Sequence, residues 1–218
     1  MHEGPLPMMK LNRRAMIALA AAATAAMTPA LAQETTTAET PAAAGPGDFS
    51  LGSPDAKVKM VEYASFTCPH CAHFHDTVFG QLKKDYIDTG KVHFTLREVY
   101  FDRYGLWAAL IARCGGEMKY FGIQDMLFAK QAEWAGSDDP AQVVANLKTL
   151  GRSAGLEDAA MDACLNDTAN AEALIKQFQT NFEADGVEGT PTLFVNGTKY
   201  SNMAYEDLKP ILDAELAK

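Results

Sequence analysis

Between residues 57 and 97 the apolar positions change period twice. Lys57-Val58-Lys59-Met60-Val61-Glu62-Tyr63 alternates, as a strand with one buried face does. Cys68-Pro69-His70-Cys71 follows, and a helix is expected from there to about Asp88, where Thr89-Gly90 stops it. Lys91 to Arg97 alternates again, with Val92, Phe94 and Leu96 on one face. The segment therefore reads as a strand, helix and parallel strand of the βαβ kind.

The following stretch keeps a helical period. Leu106, Leu110 and Cys114 share one spacing, as do Tyr120, Ile123, Leu127 and Phe128, and then Val143, Val144, Leu147 and Leu150. Breaks fall at Gly115-Gly116, between Gly136 and Pro140, and at Gly155. A longer helix is expected over 170–184, with Ala171, Leu174, Ile175, Phe178 and Phe182 on one stripe and Gly186 at its end. Thr192-Leu-Phe-Val195, Asn196-Gly197 and Thr198-Lys-Tyr200 then spell a hairpin, because Asn-Gly supplies the positive φ angles of a type I′ turn. Leu208, Ile211, Leu212 and Leu216 mark a final helix, with Pro210 expected in its first turn and Asp207 near the N-cap.

The N-terminus changes the picture of where folding starts. Lys10, Arg13 and Arg14 precede an apolar, Ala-rich run from Ala15 to Met27 and an Ala30-Leu31-Ala32 end, the pattern of an export signal cleaved after Ala32. The run is shorter than the roughly 20 residues that span a bilayer. Arg13-Arg14 suits a twin-arginine signal or a plain basic n-region, so the route stays open. Residues 33–47 form a Thr/Ala/Glu/Pro/Gly leader without apolar periodicity, and the fold is expected from about Asp48.

Composition then excludes some classes. The 218 residues are 48% hydrophobic and 22% charged with four cysteines, which rules out a collagen, a disordered acidic tail and a disulfide-dense miniprotein. A net charge of -9 offers no basic surface for phosphate backbones, so no nucleic-acid partner is expected.

The candidate chemistry sits at Cys68-Pro69-His70-Cys71. Cysteines three apart, after a strand and at the start of a helix, close a small disulfide that an attacking thiolate reopens. The helix N-terminus favours a Cys68 thiolate, and His70 is expected to add a hydrogen bond or charge. Cys71, one turn deeper, is the expected resolving thiol. A metal or structural site is the alternative, since His75 would share a helical face with Cys68 and Cys71, but a fourth ligand is not evident. His73 and His75 otherwise read as helix-surface or packing residues. Glu62 falls on the Val58–Met60 face by period two, either as a carboxylate partly buried beneath the cysteine helix or as a solvated strand end.

Cys68-Pro69-His70-Cys71 after an apolar strand, the helical stretch, and Gly189-Thr190-Pro191-Thr192 before a strand resemble the DsbA family of exported thiol-disulfide oxidoreductases. The resemblance covers nearly all of 48–218. It implies an α/β, thioredoxin-like fold over 48–101 and 168–218, interrupted by an inserted helical domain at 102–167. It also implies a cis Thr190-Pro191 bond against the cysteine pair, with Thr190 presenting backbone to an extended substrate peptide. Glu62 matches an acidic position of the family and would relay the proton of Cys71. Phe66 and Thr67, just before the nucleophile, either shape the substrate surface or pack.

The implied activity is periplasmic: disulfides are passed to folding exported proteins through a mixed disulfide at Cys68, with no cofactor or metal beyond the Cys68–Cys71 pair. A DsbB-type membrane partner would reoxidise it. Only a short leader precedes the fold, so a monomeric oxidant is expected over a dimeric isomerase or reductase. A metal carrier or thiol-dependent chaperone is the reading from another class. Cys114 and Cys164, expected on packed surfaces of the insertion, are expected to pair as a structural disulfide in an exported protein.

Overall fold

The computed structural model describes residues 46–218, so the expected export segment 1–32 and leader residues 33–45 lie outside the described residues. A five-stranded sheet organises the chain in the order β1-β3-β2-β4-β5. Its strands are β1 (Phe49–Leu51), β2 (Val58–Ala64), β3 (Val92–Glu98), β4 (Thr192–Val195) and β5 (Thr198–Ser201). β2 and β3 run parallel, with Met60 beside Phe94, while β4 is antiparallel to β2, with Met60 beside Val195. The alternation read from the sequence carries over: Val58, Met60, Val92, Phe94 and Leu96 are all buried on the sheet. At the hairpin, Asn196 and Gly197 take φ of 46° and 82°, as the turn demands. β1 was not anticipated, because three residues at a sheet edge are too few to establish a period. Phe49 holds it in place by stacking on Tyr120, centroid to centroid 4.4 Å.

One helix joins β2 to β3. It comprises α1 (Pro69–Phe74), a π segment (His75–Phe79), α2 (Gly80–Leu82) and a second π segment (Lys83–Ile87). Its buried positions include Cys71, Phe74, Val78, Leu82 and Tyr86, which recur mostly at four rather than 3.6 residues. Wider π turns keep that stripe facing the sheet instead of drifting off it.

The insertion follows as α3 (Arg103–Cys114), α4 (Gly116–Ala129), α5 (Gln131–Ala135), α6 (Pro140–Ser153) and α7 (Asp158–Leu165). Aspartates start two of these helices: Asp102 accepts the Gly105 N–H at 2.9 Å and Asp139 that of Ala141 at 2.9 Å, with Pro140 opening α6. One apolar core runs from Met60 and Phe94 on the sheet into Ile111, Leu147 and Met161 of the insertion. A disulfide joins Cys114 at the end of α3 to Cys164 in α7, with Cα atoms 5.9 Å apart. Both cysteines are half-buried.

The chain returns to the sheet through α8 (Thr168–Ala184) and closes with α9 (Tyr205–Ala217). Two expectations need correcting here. On α8 only Leu174 is fully buried; Phe178 and Phe182 lie half-buried in an aromatic cluster with Tyr63, Tyr100 and Phe101. Pro210 lies in the interior of α9, not its first turn. Tyr205 starts the helix earlier, because its ring is buried and its hydroxyl donates to Asp85 at 2.6 Å. Burial of Tyr205, Leu208 and Leu212 outweighs the missing N–H and the ring clash at exposed Pro210.

Candidate active site

Cys68 is the N-cap of the helix after β2, in extended backbone, and Pro69 opens the first turn, where a missing N–H costs nothing. The carbonyl of Cys68 accepts from the N–H groups of Cys71 and Ala72, each at 3.1 Å, so the side chain of Cys71 turns inward one turn below. Cys68 is half-buried and Cys71 has no exposed surface. Both are free thiols.

Their acidities diverge. The Cys71 thiol, hydrogen-bonded to the Cys68 sulfur, holds the Cys68 pKa down to about 5; the Thr190 side chain and the N–H groups of Cys71 and His70 act in the same direction, against burial. Burial drives Cys71 far above the usual thiol range, and the Cys68 sulfur and the Glu62 charge push the same way. His70 contributes through its backbone; its exposed imidazole makes no hydrogen bond among the described residues.

Thr190-Pro191 is cis, and the Thr190 carbonyl lies 3.4 Å from the Cys68 sulfur. The register of β4 on β2 brings it there, since Thr192 stands beside Tyr63 at the end of β2 that leads to Cys68. The Thr190 side chain acts to lower the pKa of both cysteines, although its buried hydroxyl makes no hydrogen bond among the described residues. An open cleft of about 440 Å³ adjoins the proline, lined by Glu188, Gly189, Thr190, Pro191, Lys199 and Tyr200 among others.

Glu62 is wholly buried, which decides between its two sequence readings. Its Oε2 lies 3.0 Å from His75 Nε2, and its Oε1 has no partner. His75 thus proves more than a surface or packing residue: its side chain is only 4% exposed and stacks on Phe128 at 4.1 Å. Its Nδ1 lies 3.4 Å from the Gln124 amide nitrogen.

Phe66 reads from sequence either as shaping the substrate surface or as packing, and the substrate-surface reading needs correcting: it is 2% exposed, with its ring 5.1 Å from that of Phe128, so it packs and supports the loop from below. Its burial follows from the adjoining insertion, which the local pattern does not reveal. Cys114 and Cys164 stay apart from the site, within the insertion.

Sequence reading missed three supporting residues. Gln131 of α5 donates to the carbonyls of Phe66 at 2.7 Å and Cys68 at 3.0 Å, while the Thr67 hydroxyl donates to Asp102 at 2.6 Å. Gln124 is the third. Asp102 was findable as an N-cap before a helical run; nothing in the pattern marks Gln124 or Gln131.

A family model described as Thioredoxin matches residues 44–214. The chain belongs to the thioredoxin family. Within that family it is DsbA-like, with helices inserted between β3 and α8 of the thioredoxin fold. The crystal structure of Wolbachia pipientis alpha-DsbA1 superposes with a TM-score of 0.74 at 27% identity, covering 79% of this chain and 92% of that one. A protein-disulfide isomerase structure from Novosphingobium aromaticivorans gives 0.69 at 26%, covering 80% of this chain and 100% of that one. A Rickettsia bellii protein named for protein-disulfide oxidoreductase activity is 36% identical over 169 residues, or 76% of this thioredoxin-family chain. The match spans 63% of that relative's length. Bacillus subtilis disulfide bond formation protein D is 27% identical over 180 residues, 78% of each chain.

Proposed function

We propose that this chain is an exported thiol-disulfide oxidoreductase that introduces disulfides into folding proteins. The observation that carries the reading is the opposed acidity of its two thiols, Cys68 down to about 5 and Cys71 far above the usual range. A substrate thiolate attacks the Cys68 sulfur of the oxidised pair. The Cys68–Cys71 bond breaks, its electron pair leaves on Cys71, and a mixed disulfide forms at Cys68. A second substrate thiolate then attacks the substrate sulfur and expels Cys68 as a stable thiolate. The substrate is oxidised by two electrons and the Cys68–Cys71 pair reduced by two. A stabilised Cys68 thiolate favours the reduced protein, which makes its disulfide a strong oxidant.

Thr190 and Pro191 border the cleft where an extended substrate peptide would lie, beside the attacked sulfur. Lys10 to Ala32 supports export to the periplasm, where disulfides persist. Turnover then needs a membrane reoxidant of the DsbB type, and no cofactor beyond the dithiol. The isomerase reading draws support from the Novosphingobium structure. Equilibration of the Cys68–Cys71 pair with glutathione separates the two readings: an oxidase stays reduced until the buffer is strongly oxidising, an isomerase does not. A pair that never exchanges with glutathione would refute both.

A further inference from the structure

The turn that delivers Cys68 to its helix runs from the end of β2, and its polar groups can be accounted for in order. The Ala64 carbonyl accepts from the Val99 N–H at 2.9 Å and the Ser65 carbonyl from the Cys68 N–H at 3.1 Å. The Ser65 hydroxyl takes the Thr67 N–H at 3.3 Å, and the Thr67 hydroxyl donates to Asp102. The Phe66 carbonyl has one donor among the described residues, the side-chain amide of Gln131 at 2.7 Å. The same nitrogen reaches the Cys68 carbonyl at 3.0 Å, beside the helical N–H groups of Cys71 and Ala72. Both protons of one amide are therefore spent on the two residues that flank Thr67.

Gln131 is held where it can do this. It opens α5, which is set off from α4 by Lys130, whose φ of -114° and ψ of 22° leave the helical region. Trp134 of α5 is buried and donates its indole N–H to the Leu127 carbonyl of α4 at 2.8 Å. From α6, Asn146 donates to the Glu133 carbonyl at 3.2 Å. Pinned on both sides, the short helix presents Gln131 to the turn.

Exchange at Cys68 depends on the shape of that turn. The sulfur lies 3.4 Å from the Thr190 carbonyl, at the helix N-terminus and beside the cleft from which a substrate thiolate attacks. A thiolate gains from the first N–H groups of a helix only while it stays against them. In the oxidised protein the bond to Cys71 helps to hold the sulfur; in the reduced protein that tether is gone and the turn alone holds it.

We propose that Gln131 is a positioning residue for thiol exchange: by fixing the Phe66 and Cys68 carbonyls it keeps the Cys68 sulfur at the helix N-terminus, and so sets part of the oxidising strength of the pair from an inserted helix 63 residues further along the chain. The inference rests on the oxidoreductase reading. Its support falls mainly on the reduced state, so its loss makes the protein a weaker oxidant.

The test compares the intact wild-type protein with Gln131→Met, which keeps the length of the side chain and removes both donors. Thiolate absorbance is followed against pH, the pair is equilibrated with glutathione, and urea midpoints are taken for the oxidised and reduced forms. The Cys68 pKa is expected to rise, and the glutathione equilibrium to shift about three- to tenfold toward the Cys68–Cys71 disulfide, the usual weight of a hydrogen bond. The reduced form should lose more stability than the oxidised one. A glutamine that merely supports the fold would weaken both forms equally; wild-type values of the pKa and the equilibrium in Gln131→Met overturn the proposal.

Should that variant fail to fold, the wild-type protein decides by nuclear magnetic resonance. The side-chain amide protons of Gln131 should exchange slowly with water and shift around pH 5 as Cys68 ionises in the reduced protein, and stay still in the oxidised one. Rapid exchange, or an amide indifferent to Cys68 ionisation, overturns the proposal. Failure of the parent reading looks different: the wild-type pair would not exchange with glutathione at all.

Discussion

The molecule holds two cysteine pairs in opposite settings. Cys68 and Cys71 are three residues apart at a helix start, one half-buried among hydrogen-bond donors and the other sealed beneath it. Cys114 and Cys164 are 50 residues apart, both half-buried, and tie one insertion helix to another. In the first pair, the surroundings divide the sulfurs into a good leaving group and a poor one, and the same fold shapes a cleft beside the better. The second pair lacks that division and closes a long loop, so its effect falls on the unfolded chain. Asymmetry of environment, more than the presence of sulfur, separates the reactive pair from the structural one.

The comparison is easiest to break at its centre. Cys68→Ser should abolish exchange with substrate thiols, whereas Cys71→Ser should accumulate mixed disulfides that persist on non-reducing gels. Preferential alkylation of Cys71 over Cys68 at mildly acidic pH would reverse the assignment.

Replacing both Cys114 and Cys164 with Ala should lower stability by about 2–4 kcal/mol in urea unfolding, with the Cys68–Cys71 glutathione equilibrium nearly unchanged. Thiol counting on the oxidised, denatured wild-type protein should find no free thiol.

Acid sharpens the contrast further. The Cys68 pKa falls from 9.0 to about 5 on folding, so the thiolate stabilises the reduced form fully above about pH 9, and this contribution is lost as pH falls through 5. Cys71, shifted upward, acts oppositely above pH 9.0, where only the unfolded chain ionises it. The stability of the protein with Cys68–Cys71 reduced, minus that with the pair oxidised, should therefore rise from pH 5 to 9 and level or turn over beyond. Paired Cys114 and Cys164 contribute no such slope. A flat difference between urea midpoints would contradict the acidity assigned to Cys68.

The smallest expected effect is at Thr190. Thr190→Val removes the hydroxyl that lowers both thiol pKa values, and should raise the Cys68 pKa by about one, equivalent to roughly 1.4 kcal/mol. Thiolate absorbance against pH measures it.

Legibility from sequence followed the range of the interactions involved. The βαβ unit, the Asn196-Gly197 hairpin and the helical run were readable because each is written in local periodicity or turn chemistry. Cys68 and Cys71 were readable for the same reason, and Glu62 was placed on the correct face of β2 by counting twos. Thr190-Pro191 is cis as the family resemblance implied, although local sequence alone favours trans. What escaped depends on contacts distant in the chain. Phe66 is inside because α4 brings Phe128 over it, and His75 matters because β2 brings Glu62 beneath it. Pro210 was misplaced for a related reason: the start of α9 is set by Tyr205 reaching Asp85 across the fold.

Gln131 carries a consequence for modularity. Its single amide, on the fifth helix, supplies donors to two carbonyls of the turn bearing the nucleophile. Trimming the chain to its sheet and flanking helices would take that amide from both oxygens, leaving the Cys68 carbonyl with only its helical N–H partners and the turn less firmly held. The inserted helices are thus not a detachable accessory that a graft could exchange for a shorter linker. Transplanting the four residues Cys68 to Cys71 onto a plain thioredoxin scaffold would move the sulfurs and leave behind part of what holds them.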